Sequence, residues 1–291
     1  MRRVLGATGR VLITAGALIL LFVAYQLWGT GVFEARAQDD LRDDFKQDLA
    51  ARPAPARPAD DRRPPTTAPV PVPPAGEPVG IIRIPKIGVD KVVVEGTTVA
   101  DLRKGPGHYS GTPLPGQTGN AAIAGHRTTY GAPFADLDQL VAGDVISVQT
   151  LGGTFEYEVS EVFVVNPSAV EVLDPPSKPD EAILTLTTCN PKYSASQRLI
   201  VRAEYQDPEP LPQQPPGVRR PESIDAGLSG DRSSRLPTLL WGLAAAAVGA
   251  LWWLFFHRHR SRLNWFVGAV LFLPPLFVFY VFLERVLPSN Y

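Results

Sequence analysis

Ile183-Leu184-Thr185-Leu186-Thr187-Thr188-Cys189, answered nine positions further on by Arg198-Leu199-Ile200-Val201-Arg202-Ala203-Glu204-Tyr205, decides how this chain folds. Both runs are rich in β-branched and aliphatic residues. The segment between them, Asn190-Pro191-Lys192-Tyr193-Ser194-Ala195-Ser196-Gln197, is polar and suited to a loop. Paired as an antiparallel hairpin, the runs put Leu184, Leu186, Leu199 and Val201 on a core face. Thr185, Thr187, Cys189 and Arg198 fall on the other, with Cys189 and Arg198 together at the loop end. The polar make-up of that second face argues against burial. Cys189 is the only cysteine of the 291 residues, so no internal disulfide forms. A buried small hydrophobe is the ordinary reading of such a residue. A thiol beside a fixed cation is instead suited to nucleophilic chemistry, because positive charge favours the thiolate. An imidazole is also at hand in sequence, in Ala121-Ala122-Ile123-Ala124-Gly125-His126-Arg127-Thr128-Thr129-Tyr130-Gly131.

Thr185-Leu186-Thr187-Thr188-Cys189 with Arg198 and the upstream His126 resembles the sortase signature TLxTC…R. Pro115-Gly116-Gln117-Thr118-Gly119-Asn120 and Gly125-His126-Arg127 resemble the histidine segment of that family. The similarity runs over residues 79–206. Within the family, His126 to Phe134 and Cys189-Asn190-Pro191 are most similar to class E, from high-GC Gram-positive bacteria.

The rest of that region reads as a small all-β fold. Strand-like runs recur at Gly80–Ile84, Lys91–Glu95, Asn120–Gly125, Asp144–Thr150, Thr154–Val165, Glu181–Cys189 and Arg198–Tyr205. Thr98–Lys104 and Phe134–Leu140 are candidate short helices. The pattern predicts a barrel or sandwich, and the resemblance implies a sortase-type closed β-barrel with short helices. No internal repeat, Cys/His metal spacing or phosphate-binding glycine loop is present, so neither metal nor cofactor is expected. Net charge is −1, which gives no reason to expect nucleic acid.

Three apolar segments are long enough to cross about 30 Å of hydrocarbon: Val11–Trp28, Leu236–Phe256 and Leu263–Leu283, the last with Pro274-Pro275 as an expected kink. Arg2, Arg3 and Arg10 precede the first, and Arg258, Arg260 and Arg262 separate the other two. One three-span arrangement puts both basic clusters in the cytoplasm and the β-rich region outside. Ala35-Arg36-Ala37 offers the competing reading of a cleaved signal peptide. The resulting organisation is a cytoplasmic N-terminus (1–10) and a transmembrane helix (11–28), then a juxtamembrane helix with a Pro-rich linker (29–78). The catalytic domain (79–206) and a second Pro-rich linker (207–235) follow. Two further transmembrane helices (236–256 and 263–283) flank a basic cytoplasmic loop (257–262), and a short tail (284–291) ends the chain. Phe33, Leu41, Phe45 and Leu49 share one helical stripe among many aspartates, read as a short solvated helix. Residues 52–78 hold ten prolines, so an extended tether is expected.

What the resemblance implies is a membrane-anchored cysteine transpeptidase. Cys189 attacks the Thr–Gly bond of an LAxTG- or LPxTG-type sorting signal, His126 transfers protons, and Arg198 stabilises the oxyanion or the substrate carbonyls. Tyr130, Thr187 and Thr188 are candidate substrate-binding residues. His108, in a glycine-rich turn, is a rival base read as structural, and Asp136 and Asp138 are candidates to orient His126 by nearness alone. The partners implied are sorting-signal proteins, a cell-wall peptide amine and membrane lipid. Other readings are a pilus-polymerising sortase, favoured by the C-terminal apolar segments, and a non-catalytic envelope domain. The first lacks its Asp-Pro-Trp/Phe lid motif here, and the second has no need of an intact Cys, His and Arg.

Overall fold

The computed structural model describes residues 2–51, 71–206, 232–258 and 262–287. The linker readings at 52–70 and 207–231, the centre of the basic loop (259–261) and the tail from 288 lie outside the described residues.

Eight strands close into a barrel: β1 (Pro78–Ile84), β2 (Val89–Glu95), β3 (Gly107–His108), β4 (Gly119–Ala124), β5 (Val145–Thr150), β6 (Gly153–Val165), β7 (Ala182–Asn190) and β8 (Gln197–Tyr205). Their order around it is β1-β2-β3-β4-β7-β8-β6-β5, with β1 hydrogen-bonded to β5 to complete the circuit. The seven runs read from sequence all become strands. β3 was not anticipated, because two residues are too short to show alternation. The interior holds Ile82, Val93, Ile123, Ile146, Tyr157, Leu184, Leu186, Leu199 and Val201, so the aliphatic face of the β7–β8 hairpin does point inward.

Short helical turns bridge the strands. Residues 98–104 contain the single helical turn Val99–Leu102, capped at its start by Thr98. Thr98 Oγ1 accepts from the Asp101 amide, and Asp101 Oδ2 accepts from the Thr98 amide. Within 134–140 only Leu137–Gln139 is helical, as a 3₁₀ turn.

In the N-terminal region α1 (Arg2–Ala24) passes through a π-helical turn (Tyr25–Gly29) into α2 (Thr30–Ala51). α2 is not a solvated helix. Phe45 is fully buried, and with Leu41 it packs on Ile81, Val92 and Val94 of β1 and β2. The cause lies in the barrel wall. β3 pairs with β2 only at Val94 and Glu95, which leaves the outer edge of Val92 without a strand. Gln38 fills that gap: its Oε1 accepts from Val92 N at 2.7 Å, and its Nε2 donates to Val92 O at 3.0 Å and Lys104 O at 2.8 Å. A primary amide presents the same donor and acceptor as a peptide group, so one side chain replaces a missing strand residue.

The membrane-candidate helices form a separate unit. Short of α3, the Val99–Leu102 turn, the remaining helices are α4 (Arg235–Arg258) and α5 (Arg262–Val286). Arg235–Phe256 and Trp265–Val286 are long and apolar enough to cross a membrane, whereas Leu12–Ala24 is a shorter apolar helix. α4 and α5 pack ring on glycine. A Cβ at Gly242 would stand 3.0 Å from the Phe279 ring, and one at Gly249 3.2 Å from Phe272. Pro274 and Pro275 sit inside α5, which continues to Val286.

If α2 is held by its apolar contacts, Phe45→Ala should cost about 3 kcal/mol of its docking energy. Amide exchange on the full chain would read this as faster exchange across Leu41–Leu49, with β7 amides still protected. Unchanged exchange would mean that the Gln38 clamp alone holds the helix.

Candidate active site

Strand β7 is paired on both edges, and its registers assemble the site. On one side Cys189 lies opposite Arg198 of β8, as the hairpin parity predicts. On the other, β4 runs parallel to β7 with Ala124 opposite Thr187, and the Gly125 amide donates to Thr187 O at 3.0 Å. Two residues further along the same direction, His126 follows β4 as Cys189 follows Thr187. The sole cysteine, the histidine and the arginine therefore converge at one end of the barrel.

The expectation that this face stays open is wrong. Cys189 and Arg198 are 0% exposed and His126 is 1% exposed. The second face of β7 is covered by Tyr109, Leu102, Val172 and Leu173, which with Cys189, Ala122, Ala124 and Ile200 form a second apolar cluster. Its polar side chains are satisfied internally. Thr185 Oγ1 donates to Asn120 Oδ1 at 2.8 Å, and Thr187 Oγ1 shares a 3.0 Å hydrogen bond with Tyr109 Oη. On the alternate face, Thr188 Oγ1 donates to Gly125 O at 2.8 Å, which pins the turn that carries His126. Burial pushes the Tyr109 phenol up to about 12, against the Thr187 bond and the Arg198 charge, so it stays protonated at neutral pH.

Arg198 Nη1 donates to the carbonyls of Ala195 at 2.9 Å and Gln197 at 2.8 Å, so the hairpin's own loop orients the planar fork. Among the described residues no carboxylate pairs with His126. Its Nδ1 makes no hydrogen bond among the described residues. Asp136 pairs with Lys192 at 2.9 Å, and Asp138 with Arg127 at 2.9 Å. His108 is spoken for: Nδ1 meets Glu95 Oε2 at 2.7 Å, and Nε2 faces Pro113 O at 2.9 Å and Thr112 Oγ1 at 3.0 Å. It ties β2 and β3 to the following turn.

Tyr130 covers the histidine. Its ring lies 5.4 Å from the His126 ring at a 34° tilt. Tyr130, Gly131 and Ala132 have φ of 50°, 69° and 42°, a left-handed run that costs energy at the two non-glycine positions. Neighbours hold the turn there. Tyr130 N donates to Thr30 Oγ1 at the start of α2, and Phe33 meets the Tyr130 ring edge-on at 6.2 Å. The Arg103 guanidinium lies 5.1 Å from the Tyr130 ring and 5.3 Å from that of Phe33, and its Nε donates to Tyr130 Oη. Gly131 is favoured by its φ, and a Cβ there would also be 2.4 Å from Glu34 Oε2, so that carboxylate would have to move. Glu34 reaches Lys91 at 2.6 Å. Burial raises its carboxyl, with that lysine pulling the other way.

Sequence reading therefore missed Thr30, Phe33, Arg103, Tyr109 and Arg127 as parts of the site. Only Arg127, adjacent to His126, carried a positional signal. The others arrive from distant segments.

Residues 82–206 match the model of the sortase domain family. Over 222 residues the chain is 34% identical to Sortase SrtE1 of Streptomyces coelicolor, covering 70% of this chain and 58% of that one. With Sortase SrtE2 of the same organism it shares 32% identity over 214 residues, covering 67% of this chain and 79% of that one. A solved Sortase D5 transpeptidase from Clostridium perfringens aligns with 30% identity and a TM-score of 0.46, over 60% of this chain and 99% of that one. The chain belongs to the sortase family of cysteine transpeptidases, with class E sortases among its relatives.

Burial, and secondarily the Arg103 charge, pushes the His126 imidazole down to about 3. It is neutral at pH 7. The unfolded chain takes up this proton below about pH 6.5 and the folded chain does not, so folded stability falls as pH drops from there. The loss should approach about 1.4 kcal/mol per pH unit until the folded value is reached. NMR titration of the imidazole in the full chain should show no protonation down to pH 5. Tyr130→Ala, by admitting water, should move the midpoint up towards the ordinary histidine range; an unmoved midpoint would deny Tyr130 its role as cover.

Proposed function

We propose that this protein is a membrane-anchored transpeptidase that cleaves a sorting signal between Thr and Gly and transfers the acyl group to a cell-wall amine. The observation that carries the reading is the pairing of Cys189 with Arg198 across β7–β8, alongside His126 at the end of the parallel β4. As a class E-like enzyme it takes LAxTG-type signals in preference to LPxTG-type ones.

In this reading Cys189 Sγ forms a bond to the threonine carbonyl carbon. Because burial keeps His126 neutral, the imidazole first accepts the thiol proton and then gives it to the departing glycine amine as the C–N bond breaks. The acceptor amine reverses the sequence. Its proton passes to His126 as the new C–N bond forms, and returns to sulfur as the thioester breaks. Arg198, oriented by its loop carbonyls, presents donors to the oxyanion. The thiol is buried at rest, so a peptide reaches it only when the side chains packed on that face, Tyr109, Leu102, Val172 and Leu173, give way, and it reaches the imidazole only past Tyr130. Thr187 and Thr188 act in this scheme by holding Tyr109 and the histidine turn.

Mass spectrometry of the full chain in detergent, given LAxTG and LPxTG peptides with an amine, tests the reaction. Cys189→Ala should give no joined product while remaining folded. Turnover should fall by about a hundred- to ten-thousandfold in His126→Ala. Arg198→Lys should lose about a hundred- to a thousandfold, because a point charge cannot reproduce the fork. His108→Ala acts on stability instead, through the Glu95 pair. A folded Cys189→Ala chain that still joins peptide to amine would sink the assignment.

The anchoring arrangement is part of the proposal: the barrel outside, with Met1 and residues 257–262 in the cytoplasm. On a Cys189→Ala background, single cysteines replacing Ser223 and Ser261 distinguish the sides. A membrane-impermeant thiol reagent on intact cells should label the first position and spare the second. Equal labelling would rule out the C-terminal hairpin.

A further inference from the structure

Arg127 is a buried cation to which the proposed chemistry gives no task. It is 4% exposed, and each arm of its guanidinium faces an acceptor. Nη1 donates to the backbone carbonyl of Cys189 at 3.2 Å and to Asn190 Oδ1 at 2.8 Å. Nη2 pairs with Asp138 Oδ2 at 2.9 Å, and Nε faces Ala135 O at 3.5 Å. One side chain thus joins three segments: the turn bearing His126, the 3₁₀ turn at Leu137–Gln139, and the end of β7.

The location explains why such a tie is needed. The β4–β7 ladder ends at Ala124 and Thr187, with one more backbone bond from Gly125 N to Thr187 O, one residue short of His126 and two short of Cys189. Beyond it, backbone pairing no longer fixes the histidine relative to the cysteine. A second link between the same loops, Lys192–Asp136, is more than a third exposed at both ends, and exposed pairs hold weakly. Arg127 is dry and multiply bonded. Its fork grips the peptide group that follows the nucleophile while its own backbone continues from His126. Its charge lies against the Cys189 carbonyl, and its partner Asp138 is 49% exposed and screened by water whereas the guanidinium is not.

We infer that Arg127 is a positioning residue, which holds Cys189 and His126 in register for proton transfer and lends the thiol a positive field. The inference rests on the transpeptidase reading, and its test separates the two. Three variants of the full chain in detergent would be compared with wild type for peptide–amine joining: Arg127→Met, Arg127→Lys and Asp136→Asn. Positioning acts on the chemical step, so Arg127→Met should lower kcat by about fiftyfold or more with KM within about threefold. Arg127→Lys, which keeps the charge without the fork, should lose about tenfold. Asp136→Asn, which cuts the other loop tie, should stay within about twofold. A folded Arg127→Met chain with kcat within threefold of wild type overturns the inference. So does an equal loss in Asp136→Asn, which would reduce Arg127 to general loop bracing. If Arg127→Met fails to fold, Arg127→Lys decides: a kcat loss at an unchanged melting temperature supports positioning. Wild-type turnover in Arg127→Lys, or its failure to fold as well, makes Arg127 a structural plug. Should wild type join no peptide, the transpeptidase reading falls first, and alkylation of Cys189 by iodoacetamide judges Arg127. At pH 7 the expected rate in Arg127→Met is at least about fivefold below that in Arg127→Lys, because only the second retains the charge; equal rates overturn the inference.

Discussion

Two ladders meet on β7, and the positions of Cys189, Arg198 and His126 follow from them. The antiparallel ladder to β8 places Cys189 against Arg198, and the parallel ladder to β4 brings His126 alongside. Side chains alternate, so a slip of β8 by one residue against β7 would turn the Arg198 guanidinium into the barrel and Leu199 out of it. Core packing forbids that slip: Leu184, Leu186, Leu199 and Val201 fill the interior in one register only. Cys189 and Arg198 are thus aligned by aliphatic side chains on the opposite face of their hairpin. Where the β4 ladder ends, a side chain replaces backbone as the aligning device.

The same substitution of side chain for backbone occurs at β2, two strands away from β4 in the barrel. Gln38 completes the edge of β2 where β3 is too short to do so. That bond and the Phe45 contacts make α2 part of the barrel's wall rather than a spacer. Through Thr30 and Phe33, the helix also reaches Tyr130 and so the imidazole beneath it. The protonation state of His126 therefore depends on packing between segments about a hundred residues apart in sequence.

The hairpin, its parity and the Cys189–Arg198 pair were legible in the sequence because they are local, set by alternation over two short runs. Alternation left barrel and sandwich open, so closure was legible only through the family resemblance, and β3 was not legible at all, since two residues carry no period. The stripe of Leu41, Phe45 and Leu49 showed that α2 has an apolar face, but nothing nearby said what would cover it. The larger misreading was of exposure. Thr185, Thr187 and Arg198 suggested a wet surface, yet the two threonine hydroxyls are met by Asn120 and Tyr109, and Arg198 Nη1 by loop carbonyls. Those partners come from elsewhere in the chain. Polarity in a strand predicts that hydrogen bonds exist, not that water supplies them.

The covering of Cys189 also bears on the lifetime of the protein. A reactive thiol in an oxidising setting advances from sulfenic to sulfinic acid, and the second step is irreversible for most proteins. The usual rescue is a neighbouring thiol that captures the sulfenic acid as a disulfide. This chain has no second cysteine. Its protection is steric instead: with the residue fully enclosed among Tyr109, Leu102, Val172 and Leu173, peroxide has no more access to the sulfur than peptide does.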